Sequence, residues 1–116
     1  MDADLVRQRT DTHCEALLAG DVERATEDFS DQLKSNLGMI VSQWPLPLTE
    51  AVVESVEATA SGYVAVVRLA GESQTVRQQM RWKDRDGTPT VVEVSHVVDH
   101  VAPAPAPAEG EAEGQE

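Results

Sequence analysis

Residues 75–83 read TVRQQMRWK. Val76, Gln78, Met80 and Trp82 alternate with Thr75, Arg77, Gln79, Arg81 and Lys83, a period of two that belongs to an extended strand, because successive side chains leave a strand on opposite faces. The first set carries the apolar bulk and is predicted to face a core, and the second, with three of its five members basic, to face water. One polar residue, Gln78, is carried inward with the apolar set.

The same period marks three more strands, at residues 51–60, 63–70 and 90–98. Tyr63, Ala65, Val67 and Leu69 are expected inward on the second, and Val92, Val94, His96 and Val98 on the last. On the first, the more apolar set is Val52, Val56, Ala58 and Ala60, which takes Glu54 to the inner side. Ser61-Gly62 suits a two-residue hairpin, Gly71-Glu72-Ser73 a longer one, and residues 84–87, DRDG, a loop built on Asp-Gly chemistry. Four strands joined by short turns predict an antiparallel meander.

Upstream of residue 49 the period lengthens to that of helices. In residues 3–19 Val6, Thr10, His13, Cys14, Leu17 and Leu18 share one face, opposite Asp4, Gln8, Asp11 and Glu15. Gly20 is placed to end this helix and Asp21 to cap a second, with Val22, Ala25, Thr26 and Phe29 as its inner stripe. Ser30 and Asp31 open a third segment, with Leu33, Leu37, Ile40, Val41 and Trp44 on one side. A break is expected at Gly38 and a stop at Pro45 and Pro47. The fold class is therefore α+β, with two to three N-terminal helices packed on a curved four-stranded antiparallel sheet over residues 1–101. Residues 102–116, beginning APAPAPAEG, are too poor in large apolar groups to offset ordering entropy and are expected to form a disordered, acidic tail.

The charge narrows the partners. A net charge of −12 repels polyanions, so nucleic acid is not an expected partner, and removing the four tail glutamates still leaves −8. No apolar run reaches the roughly 20 residues of a membrane helix. A lone Cys14 and an amino terminus without a basic-then-apolar pattern predict a cytoplasmic protein.

Residues 17–34, LLAGDVERATEDFSDQLK, resemble the helix-turn-helix of small bacterial members of the nuclear-transport-factor-2-like superfamily. Residues 80–97, MRWKDRDGTPTVVEVSHV, resemble the final hairpin of that superfamily, and the look-alike region runs over residues 5–98. The resemblance implies a cone-shaped α+β fold whose open end often holds a small apolar ligand, in a superfamily that includes ketosteroid isomerases, dehydratases and polyketide cyclases. It transfers no catalytic acid or base to a position in this sequence.

With these facings, His13, Glu54, Tyr63, Gln78, Trp82 and His96 all project between helices and sheet, and they form the candidate ligand-binding set. Buried polar groups need partners, so such a load is satisfied internally or meets a cavity. Three of them also have a plainer explanation: His13 as a neutral core imidazole, Glu54 as a solvated strand carboxylate, Trp82 as core. The pair His96 and His100 in HVVDH is too far apart on a strand, roughly 13 Å, to share one metal ion. No phosphate loop, acyl-transfer motif or cofactor motif is present, so no cofactor is expected. The expected function is a non-catalytic small-molecule-binding or protein-interaction module, with a small hydrophobic ligand or a homodimer through the sheet face as partner. The alternative is an isomerase, dehydratase or cyclase using Glu54 or His96 as base and Tyr63 or His13 as donor to an oxyanion.

Overall fold

The computed structural model describes residues 1–101, with side chains through residue 97. The expected tail, and the side chains of Val98, Asp99 and His100, lie outside the described residues. Helix α1 (Ala3–Leu18) is followed by three short helices, α2 (Val22–Ala25), α3 (Asp31–Lys34) and α4 (Leu37–Val41). Four strands, β1 (Glu50–Thr59), β2 (Gly62–Ala70), β3 (Gln74–Arg85) and β4 (Thr88–Val101), form one antiparallel sheet in chain order.

Local chemistry sets the helix boundaries. The Asp2 carboxylate caps α1 by accepting from Leu5 N, and Gly20, at φ 76°, takes the left-handed conformation past its end. Asp21 and Ser30 cap α2 and α3 by accepting from Arg24 N and Leu33 N. The break expected at Gly38 falls earlier, at Ser35 and Asn36, and Gly38 sits inside α4 with open space around it. On α1 the buried stripe includes Ala16, while Leu18 turns out to solvent.

The inner face of β3 is as expected: Val76, Gln78, Met80 and Trp82 are all buried, while Arg77 and Gln79 are exposed. Helix α1 lies across β1 and β2, and its Val6 and Leu17 join Ala65, Val67, Leu69, Met80 and Trp82 in the core. Phe29, expected on the stripe of the second helix, instead lies beyond the end of α2, where its backbone bridges to Val91 of β4, and its side chain joins the same core.

The register shifts once in β1 and twice in β4, and two of these three irregularities, β-bulges at Glu54 and Val92, move residues away from the expected facings. Val53 pairs with Val67 but Ser55 pairs with Val66, so Glu54 is an extra residue in β1. Ala51, Val53 and Val56 therefore pack inward, Val52 is exposed, and Glu54 lies on the outer face rather than the inner one. In β4, Trp82 pairs with Val91 and Arg81 with Glu93, making Val92 the extra residue, and the fully buried Val91 takes the inward place expected of Val92. A bulge inserts one residue into an alternation of two, so every facing beyond it reverses.

The turns also place their glycines. Asp86 and Gly87 form the β3–β4 turn with φ 55° and 83°, and Gly87 N donates to the Asp84 carboxylate at 2.7 Å. The β1–β2 turn is Ala60-Ser61, with Gly62 already paired to Thr59 in the strand. Gly62 is required for a different reason: a Cβ there would collide with the backbone carbonyl oxygen of Trp82. Gly62→Ala is expected to cost about 2 kcal/mol, because backbone must move to admit one methyl group. Thermal unfolding reads this as a midpoint lower by about 10 °C, and an unchanged midpoint would mean that β2 shifts freely against β3.

Candidate functional site

One side chain organises the polar interior. Gln78, fully buried on β3, contacts α1, the segment after α4, and β4. An indole N–H is a donor only. Trp44 Nε1 therefore donates to Gln78 Oε1, at 2.7 Å, and this fixes which end of the amide is oxygen. The opposite end, Gln78 Nε2, donates to His13 Nε2 at 2.9 Å. His13 then carries its proton on Nδ1 and donates it to the Ala25 carbonyl oxygen at 2.6 Å. His96 Nε2 lies 2.7 Å from the same Gln78 oxygen and must donate, which leaves His96 Nδ1 as a bare lone pair.

Both imidazoles are held neutral. Burial depresses the His13 pKa to about 4, with His96 lowering it further and the Ala25 hydrogen bond acting against the shift. Burial alone brings His96 to about 4. The His13 ring also packs beside Phe29 and meets the Trp44 ring edge-on, with centroids 6.0 and 5.9 Å away.

Of the six candidate residues, the structure joins His13, Gln78 and His96 by hydrogen bonds and leaves Glu54, Tyr63 and Trp82 outside that network. Tyr63 pairs with Trp82 and Gln78 with Val67, four residues along β2 and so about 13 Å away. Tyr63 is half-buried against the core at that far end. Glu54 lies on the outer face, where Arg77 Nε donates to it at 2.7 Å and Arg68 Nε stands 3.7 Å away. Trp82 is core, and its Nε1 is the one buried side-chain polar atom without a hydrogen-bond partner among the described residues. Trp82 borders a void of about 10 Å³, room for one water molecule, beside Thr12, His13 and Asp28. The Arg9–Asp28 ion pair, at 3.1 Å, borders the same void, and burial raises the Asp28 pKa against the lowering effect of Arg9.

Trp44 completes the cluster and was readable only as an apolar residue on a helical stripe. The signal that finds it is chemical: a donor-only indole on a stripe that packs over three inward polar groups. Elsewhere, burial together with Asp11 and Glu15 pushes the Cys14 thiol up to about 12, leaving it protonated and unreactive. Among the described residues no three His, Cys, Asp or Glu side chains gather as a metal site. Glu54 on the outer face and His96 on the inner one lie on opposite sides of the sheet, so they do not converge with Tyr63 on one site. No helix among them is long and apolar enough to cross a membrane.

Short helices laid over a four-stranded antiparallel meander make this an NTF2-like α+β fold. Among solved structures the chain is similar to an NTF-2 like protein of unknown function from Burkholderia xenovorans LB400, with 17% sequence identity and a TM-score of 0.58 over 88% of this chain and 87% of that one. The sequence matches no family model and no curated protein.

Proposed function

We propose that the domain is a non-catalytic binding module that assembles as a homodimer through the outer face of its sheet. The observation carrying this reading is the charge on that face. Arg68, Arg77, Arg81 and Lys83 place four of the nine basic residues there, interleaved with Glu50, Glu54, Glu57 and Glu93. Arg68 Nη2 reaches Glu50 at 3.4 Å, and Arg81 Nε donates to Glu93 at 3.0 Å. The face is thus close to neutral on a body that carries −8, so a second copy approaching it escapes the repulsion met elsewhere.

Apolar area supports the same face. Val97 is 66% exposed and Val52 38%, both among these charges on outward positions of β4 and β1. Alternating signs on a twofold-related surface allow each arginine to meet a glutamate of the other copy. The interior supports a module rather than a reaction, because His13, Gln78 and His96 spend their inward-facing hydrogen bonds on one another, on Trp44 and on Ala25. Sedimentation equilibrium at about 50 µM is the test. The wild type is expected at twice the chain mass and Val97→Glu at the chain mass, with matching circular dichroism. A wild type that sediments as a monomer overturns the proposal.

A further inference from the structure

The Gln78 network leaves one lone pair unused, and a cleft stands beside it. His96 Nδ1 carries no proton and makes no hydrogen bond among the described residues, and His96 is only partly buried. His96 lines a cleft of about 230 Å³ between α4 and β4, together with Met39, Ile40, Gln43, Val94 and Ser95. We propose that this cleft binds a compact one-ring molecule bearing a weakly acidic hydroxyl, a phenol in the simplest case. The hydroxyl donates to His96 Nδ1 and the ring lies on Met39, Ile40 and Val94.

Each part of the ligand follows from a part of the cleft. The acceptor is set in place before the ligand arrives: Trp44 orients Gln78, Gln78 takes the His96 Nε2 proton, and the ring has no second tautomer compatible with that bond. A neutral imidazole nitrogen with no proton accepts and does not donate, so it selects a hydroxyl or N–H over a carboxylate. A carboxylate would also approach a domain of net negative charge. The volume lies below the roughly 300 Å³ at which drug-sized pockets begin, which sets the limit near one ring. Met39, 72% exposed on α4, supplies a flexible thioether for the ring, and Ile40 and Val94 continue the apolar wall. Gln43, exposed at the rim, offers an amide to a second polar substituent. The inference does not rest on the homodimer, which uses the opposite side of the sheet.

The experiment is titration of the full chain with phenol, followed by long-range 1H–15N spectra of the imidazoles, with anisole as the probe that keeps the ring and loses the donor. Phenol is expected to saturate at millimolar concentration and to move His96 Nδ1 in the direction of hydrogen-bond acceptance. Anisole should bind about fivefold more weakly and leave Nδ1 unmoved, the margin of one hydrogen bond. Met39→Asp, a change at an exposed position, should weaken phenol binding by a similar factor with the circular dichroism of the wild type retained. Equal affinity for phenol and anisole, shifts that map away from His96 and Met39, or indifference to Met39→Asp overturns the assignment. Sedimentation of the same samples reads the homodimer separately, so the two proposals fail independently.

Discussion

Gln78→Leu is expected to lower the stability of the domain by about 4 kcal/mol, measured as the loss of unfolding free energy in urea. Leucine fills nearly the same space, so the loss is not mainly a cavity. It comes from three partners stranded at once: the Trp44 indole N–H and the His96 Nε2–H lose their acceptor, and His13 Nε2 loses its donor. Each buried group left unpaired costs about 1–3 kcal/mol, and the three share one residue, so their sum is reduced by relaxation. Against a typical total of about 5–15 kcal/mol this is a large fraction. A loss below about 1 kcal/mol would mean that water replaces the amide and that the interior is wetter than described.

Acid is expected to weaken the fold over a defined window. His13 has a pKa near 4 in the folded protein against 6.5 in the unfolded chain, so below pH 6.5 the unfolded state takes up a proton that the folded state refuses. The stabilisation is complete above pH 6.5 and is lost as pH falls toward 4, by about 3 kcal/mol for this residue. His96 works in the same direction. Asp28 works in the opposite direction, because burial raises its carboxyl and protonation there favours the folded state. Urea midpoints at pH 7.5, 6.0 and 5.0 should therefore fall steadily, and His13→Gln should flatten the slope. A wild-type midpoint that holds level from pH 7.5 to 5.0 would place a charged imidazole in the folded core.

The inner face of β3 was legible because Val76 to Trp82 keep an unbroken alternation, and the helix boundaries were legible because Asp21, Ser30 and Gly20 act on their immediate neighbours. Glu54 and Val92 were misplaced for one shared cause. A bulge is a property of two paired strands, and nothing in residues 50–59 or 88–101 alone announces where the extra residue falls. Gly62 was legible as a glycine needed near a turn, but its neighbour, the Trp82 carbonyl, is twenty residues away and only pairing brings it there.

The candidate site was half legible for the same reason. His13, Gln78 and His96 were placed inward from periodicity, but that they meet follows from where α1 crosses the sheet. Trp44 entered the network from beyond α4, at a distance of 34 residues from Gln78, where no local pattern connects them. The polar load of the inner face is thus resolved largely by mutual hydrogen bonding, leaving a water-sized void at Trp82 and an unused nitrogen on His96, a residue that lines the cleft between α4 and β4.

The tautomers of His13 and His96 at neutral pH carry the whole account, and long-range 1H–15N spectra of the imidazoles read them directly. A proton on Nδ1 of His13 and on Nε2 of His96, with neither ring titrating above pH 5, is the expected result. The reversed tautomers, or a ring that titrates near pH 6.5, would contradict a neutral, interlocked interior organised by Gln78.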